Sequence, residues 1–339
     1  MPSVAQTEKF FPQAGWGQVL AQSLRSCDEL LAALELQPID FPNGLSAAKH
    51  FPLLVPRPFV ERMRKGDPLD PLLLQVLPLG AEELVHPSFS TDPLGEQSTN
   101  VAAGVIHKYH GRVLLLAASG CAINCRYCFR RHFPYSENRL GRAQWQSALD
   151  YIAQDSSITE VILSGGDPLM LQDEHLADLV ESIAQIAHVQ RLRIHSRLPV
   201  VIAERLTDQL TDILTRTRLR SSLVLHVNHP QELTPVHAQR LALMRQAGVT
   251  LLNQTVLLKG VNNNAEVLIE LSEALFNHHL LPYYLHVLDR VQGAQHFDVT
   301  SAEAYTLYQQ MLAQLPGYLV PKLVREEAGQ AHKTPLHAF

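Results

Sequence analysis

From residue 112 onward, short apolar runs alternate with longer stretches of helical period. The runs RVLLLAA (112–118), EVILSG (160–165), RLRIHS (191–196), SLVLHVN (222–228), VTLLNQTVLL (249–258) and YYLHVL (283–288) are rich in branched aliphatic residues. Their length and composition predict strands. Residues 142–154, 173–187, 203–217, 236–247, 264–278 and 301–314 repeat apolar residues every three to four positions, which predicts helices. Such βα alternation describes a parallel sheet in an α/β fold. Six units are too few for a closed eight-stranded barrel, so an open six-unit barrel and a doubly wound sheet both remain. Upstream, 16–36 and 56–66 read as helices, the second closed by Gly66. Residues 67–106 are irregular and frequent in proline and glycine, and read as a connecting collar.

Polar and special residues gather where each predicted strand ends. Cysteines follow the first, GGDP the second and HSR the third, then HVNHP, Asn253 with Gln254, and HVLD. In parallel α/β architectures the C-terminal ends of the strands share one face, where ligands bind. All six loops therefore point to one mouth.

The composition narrows the function classes. The 339 residues are 46% hydrophobic and 18% charged, enough apolar material for a packed core and a poor match to a disordered chain. Lys+Arg 28 against Asp+Glu 33 gives a net charge of −5, which argues against a general DNA binder. No run approaches the roughly 18 apolar residues of a membrane span, and MPSVAQTEKFFPQAGWG does not read as a signal peptide. The expectation is a cytoplasmic protein with no membrane partner; a homo-oligomer is left open. Four cysteines are too few for a disulfide scaffold of this length. Cys27 stands alone, while Cys121, Cys125 and Cys128 lie together in CAINCRYC.

Three thiolates on one short loop can hold three irons of a [4Fe–4S] cluster and leave the fourth iron to a small molecule. The competing reading is a structural Cys₃His zinc site completed by His132, although no second Cys/His pair lies nearby. CxxxCxxC with an aromatic residue before its last cysteine, here Tyr127, resembles the cluster loop of radical S-adenosylmethionine (SAM) enzymes. The six βα units resemble the partial barrel of that superfamily, and SGGDPL (164–169) its glycine-rich SAM segment. Further segments narrow the likeness: HKYHGRVLLL, CRYCFRRHF, HVNHP, LLNQTVLLKGVN, YYLHVLDRVQGAQHF and PGYLVPKLV. From about residue 100 to the end, the chain is similar to the lysine 2,3-aminomutase family. Within it, the chain most resembles the short bacterial branch that makes β-lysine for elongation factor P.

That resemblance implies a fold, three cofactors and a residue map. The fold is a partial (βα)6 radical SAM barrel at 105–300, a helical extension and collar at 1–104, and a pyridoxal 5′-phosphate (PLP) segment at 301–339. Cys121, Cys125 and Cys128 match the [4Fe–4S] ligands. Ser164, Gly165, Gly166, Asp167, His226 and Gln254 match positions near SAM. Lys333 matches the lysine whose amine forms an imine with PLP; Tyr109 and Arg112 match its neighbours. Arg130 matches the residue that takes the substrate carboxylate, a role for which a planar guanidinium is suited. Asp289 and Glu326 match the acids that grip the ε-ammonium of lysine. The implied reaction takes hydrogen from C3 of L-α-lysine by a deoxyadenosyl radical and moves the 2-amino group to C3, giving β-lysine, by resemblance the R enantiomer. A flavodoxin or ferredoxin would supply the electron, and elongation factor P with its β-lysyl ligase would use the product. Three departures from the family stand out: Lys108 replaces an arginine, Glu326 an aspartate, and Gly329 alone remains of a glycine-rich run. A radical SAM enzyme acting on RNA or a peptide is the rival reading, resting on Arg126, Arg130, Arg131, Arg139 and Arg142.

Overall fold

The computed structural model describes residues 15–336 apart from 42–43, 50, 97–98, 103 and 135–141. Arg139 lies outside the described residues. One sheet organises the chain. Its strands are β1 (Asn100–Ala102), β2 (Val105–Tyr109), β3 (Arg112–Ala118), β4 (Glu160–Gly165) and β5 (Arg191–Ser196). They continue with β6 (Arg220–Leu225), β7 (Thr250–Leu257), β8 (Leu281–Val287), β9 (Lys322–Arg325) and β10 (Thr334–Pro335). Their order in the sheet is their order in the chain. A doubly wound sheet reverses direction at a switch point, so that alternative is gone; the sheet is an open, singly wound barrel. From β3 to β9 every neighbouring pair is parallel, and antiparallel hairpins finish both edges.

The sequence-predicted strands at 112–118, 160–165 and 191–196 are the observed β3, β4 and β5, and the other three shift by a few residues. β9 has no counterpart among the predicted strands, because four residues between a proline and a charged loop carry too little pattern. The helices Arg142–Gln154 and Ser301–Gln314 have the predicted bounds. The stretch 203–217 narrows to Asp208–Thr215, because the Thr207 side chain accepts from Leu210 N and fixes the start. The stretch 16–36 divides into Trp16–Ala21 and Cys27–Ala33. Leu24 between them exchanges backbone hydrogen bonds with Val55 at 2.8 and 3.0 Å, which no continuous helix permits. Of 56–66 only Arg57–Val60 is helical.

Two rules of strand geometry build the cavity. β4 is buried along its whole length, as expected of a central parallel strand covered on both faces. β7 alternates: Leu251, Asn253, Thr255 and Leu257 turn toward the helices and are buried, while Gln254 and Val256 turn into the barrel. The same period of two brings Ser164, His195 and His286 inward. These side chains line a cavity of about 600 Å³ that runs the depth of the open barrel. Among the described residues, no helix is long and apolar enough to cross a membrane.

Candidate active site

The cysteine loop follows β3 and forms the upper wall of this cavity, where Cys121, Cys125 and Cys128 all face the lumen. Burial and then the neighbouring thiols raise Cys121, and burial raises Cys125; Cys128 is pushed up to about 11 by burial and Cys125. Crowded, desolvated thiols of this kind are costly to ionise without a cation, and a cation is what a cluster supplies. Their open side is the cavity itself, so the donor set fits a three-cysteine [4Fe–4S] site with one iron facing a ligand. His132 does not join them: it is exposed, and its Nε2 lies 3.1 Å from the Gln292 carbonyl.

Gly165 and Gly166 bring the β4 loop against the cysteine loop. Gly166 N donates to Ala118 O and Asp167 N to Gly120 O, each at 2.8 Å. A Cβ at Gly165 would sit 2.4 Å from Ala118 O, and one at Gly166 2.3 Å from Gly120 O. Both glycines are therefore required by the neighbouring backbone. Asp167 lines the cavity but its carboxylate is engaged. Oδ1 accepts from Leu169 N and Ser196 Oγ, and Oδ2 from Arg197 N and Leu198 N. The sequence places Asp167 among SAM contacts; the structure gives its side chain the task of riveting the β4 loop to the β5 loop. Across the cavity, Gln254 Nε2 lies 2.7 Å from His226 Nε2. Burial, with Arg197 and Arg130 nearby, pushes His226 down to about 3, so the imidazole is neutral and accepts from the amide.

The lower end carries most of the charge. Arg130 is gripped by Glu96, Nε to Oε2 at 2.6 Å and Nη2 to Oε1 at 2.8 Å, and its Nη1 donates to Ser164 Oγ at 3.1 Å. Lys108 bridges Glu96 at 3.4 Å and Glu326 at 3.1 Å, and Lys333 pairs with the second oxygen of Glu326. Lys333 stands just before β10, so the β9–β10 hairpin is what delivers its amine over the mouth, 5.7 Å from the Tyr284 ring centre. Arg112 stacks on Tyr109 at 4.8 Å and has no ion pair with any described residue. An amine beside an uncommitted guanidinium fits PLP, which needs an imine partner and a cation for its phosphate. Asp289 faces the same space; its Oδ1 is buried and has no hydrogen-bond partner among the described residues.

All fifteen residues singled out in the sequence line this one cavity. Sequence reasoning missed Glu82, Glu96 and the buried polar layer beneath the cysteines. Glu82 grips Arg126 at 2.6 and 2.8 Å and Arg131 at 2.7 Å, so these arginines are neither solvated nor turned to a ligand. With Arg130 held by Glu96, three of the five arginines behind the RNA or peptide reading, Arg126, Arg130 and Arg131, are engaged by buried carboxylates, which weakens that reading. Below the loop, Asn228 Nδ2 donates to Gln75 Oε1 at 3.0 Å and to the Tyr127 hydroxyl at 2.7 Å. Gln75 in turn donates to Glu232, which pairs with Arg197. Glu82, Glu96 and Gln75 all come from the collar and its approach, where no periodicity marks any residue.

Residues 109–214 match the 4Fe-4S single cluster domain family. Over 95% of its length the chain is 49% identical to the L-lysine 2,3-aminomutase of Haemophilus influenzae and 51% identical to that of Escherichia coli, covering 95% and 94% of those proteins. The chain belongs to the radical SAM L-lysine 2,3-aminomutase family. The Clostridium subterminale member is 31% identical over 95% of this chain and 77% of its own. A solved radical SAM methyltransferase from Sphaerobacter thermophilus aligns over 67% of this chain and 72% of its own, at 14% identity and a TM-score of 0.45. Membership makes the protein a radical SAM isomerase that uses a [4Fe–4S] cluster and SAM.

Proposed function

We propose that this enzyme converts free L-α-lysine to β-lysine, with PLP held on Lys333. The observation that carries the substrate is the pairing of opposite ends: a guanidinium at Arg130 and, in the same cavity, two carboxylates at Asp289 and Glu326. A zwitterion with a distal ammonium matches that polarity, whereas glutamate would place its distal carboxylate against two acids. The cluster with SAM supplies a carbon-centred radical source, and PLP supplies stabilisation of an unpaired electron next to the migrating nitrogen. The chain's own residues bind and orient. Arg130 takes the carboxylate, Asp289 and Glu326 take the ammonium, and C3 is thereby turned toward the cysteine wall. Lys333 holds the cofactor, with Arg112 and Tyr109 beside it. His226 and Gln254 form a neutral polar pair on the SAM side.

The product is the R enantiomer by family likeness, a flavodoxin or ferredoxin supplies the electron, and elongation factor P with its β-lysyl ligase uses the product. The test is anaerobic reconstitution with iron, sulfide and PLP, then incubation of lysine and SAM with a one-electron reductant and chromatography of the amino acids. β-Lysine should accumulate, borohydride should fix PLP at Lys333, and Lys333→Ala should abolish both. A protein that carries the cluster and cleaves SAM, yet holds no PLP at Lys333, would refute the assignment.

A further inference from the structure

We propose that Glu96 is a positioning residue for substrate binding: it holds Arg130 by one edge and so aims the other edge of the guanidinium at the substrate carboxylate. The inference rests on the reading of Arg130 as the carboxylate partner and adds a residue from a segment that carries no recognisable motif. An arginine fork has two edges that can grip a carboxylate, one made by Nε with a terminal nitrogen and one made by both terminal nitrogens. Glu96 takes the first, with Nε and Nη2 at 2.6 and 2.8 Å. The second edge is turned toward β4, where Nη1 lies 3.1 Å from Ser164 Oγ and 3.4 Å from Gly165 O. That edge borders the SAM segment and the cavity.

Glu96 is itself fixed. Its backbone N–H donates to Asp92 Oδ1 at 2.9 Å, and the chain just before it docks on the loop after Asp289. There Ser90 N donates to Arg290 O at 3.0 Å and Gln292 N to Ser90 O at 2.9 Å. Both Glu96 and Arg130 are buried, at 4% and 8% exposure, so neither can exchange its partner for water without cost. Although burial opposes ionisation of Glu96, Arg130 and Lys108 hold its carboxyl below the usual range. One ionised carboxylate thus fixes the plane of the fork and joins it, through Lys108, to the Glu326 end of the site. Without Glu96 the charge of Arg130 remains, but its plane is no longer set, and a planar bidentate contact is lost within some 10–20° of misalignment.

The test uses the reconstituted holoenzyme and its Glu96→Gln variant, with iron content, PLP content and thermal melt as controls. The KM for lysine should rise about tenfold or more while kcat stays within about threefold, the split expected when binding geometry and not chemistry is disturbed. Titration of the PLP absorbance should show the loss with L-lysine and not with L-lysinamide, which lacks the carboxylate. Should Glu96→Gln lose its melt, Glu96→Asp carries the test, its shorter arm giving a smaller rise in the same direction. An unchanged or lowered KM in a folded variant overturns the proposal, since Glu96 would then be idle or a competitor of the substrate. Equal losses with lysine and lysinamide overturn it too. A wild-type holoenzyme whose PLP absorbance ignores lysine would instead overturn the functional reading beneath it.

Discussion

Glu326 accepts from Lys333 through one carboxylate oxygen and from Lys108 through the other, the latter at 3.1 Å. Although burial opposes ionisation, the two ammonium groups hold Glu326 down to about 2. The oxygen that Lys333 uses is one that a substrate ε-ammonium would need. The two amines would therefore compete at Glu326, and tying up Lys333 in a cofactor linkage would clear the seat.

Protein stripped of PLP should consequently bind lysine weakly, and Lys333→Met, also without PLP, should bind it better. A charged hydrogen bond of about 1.5–3 kcal/mol translates into a gain of about tenfold or more, measurable by calorimetry. Adding Glu326→Gln to Lys333→Met should cancel the gain. Equal affinities for wild type and Lys333→Met would show that Lys333 does not compete for this carboxylate.

Asp289 predicts a pH dependence. Burial, and then the Glu326 carboxylate, pushes it up to about 7. Below that pH it is neutral, while a lysine ε-ammonium with an ordinary value of about 10.4 stays charged. The cation prefers the ionised acid, so lysine binding should weaken as pH falls through about 7 and level off above it. The expected slope is about one logarithmic unit per pH unit on the acid side. Asp289→Asn should bind more weakly at pH 8 and lose the slope. A variant that keeps the slope would place the titrating group elsewhere.

Asp167 predicts stability more than ligand affinity. Its two oxygens accept four hydrogen bonds, from Leu169 N, Ser196 Oγ, Arg197 N and Leu198 N, all within 3.0 Å. Asp167→Ala leaves buried backbone donors without acceptors, each costing about 1–3 kcal/mol, so a loss of about 3 kcal/mol or more is expected in denaturant unfolding. In the fraction that stays folded, SAM affinity should fall far less than a direct contact would require. A stable Asp167→Ala protein with lost SAM binding would return this carboxylate to the ligand.

What could be read in advance follows from which features have a period. β3 and β4 carry continuous apolar runs and β5 alternates in RLRIHS, and the bounds of all three are legible to the residue. The cavity-facing residues of β7 follow from alternation once the strand is placed, whereas β8 brings the adjacent Tyr283 and Tyr284 both to the cavity. The cysteine loop is a local motif and needs no fold to be seen. Glu82, Glu96 and Gln75 are different: each meets its partner across 34 residues or more, from a stretch without helical or strand period. A buried carboxylate in an irregular segment looks, in sequence, like any surface acid. The division of 16–36 likewise depended on Val55, a partner that no local pattern reveals. Asp167 lines the cavity, but its task is set by Ser196 at the end of the next strand and by the backbone of Arg197 and Leu198 just beyond it.

Tyr127 shows how such distant partners reach the cluster loop. Its hydroxyl accepts from Asn228 at 2.7 Å and lies beside Cys125, whose thiolate it favours. Asn228 is fixed in turn by Gln75 and Glu232, so the hydroxyl cannot rotate away without breaking a buried network. A hydrogen bond to a ligating sulfur withdraws electron density from an iron–sulfur cluster and raises its reduction potential. Tyr127→Phe removes that donor while keeping the ring that packs edge-on against Phe297. The reconstituted variant should therefore take up its cluster normally and show a more negative midpoint in a potentiometric titration followed by electron paramagnetic resonance. Asn228→Ala, which frees the hydroxyl without removing it, should give a smaller shift of the same sign. A midpoint unchanged in Tyr127→Phe would mean that the hydroxyl does not act on the ligated sulfur, leaving the buried network a purely structural support for the loop.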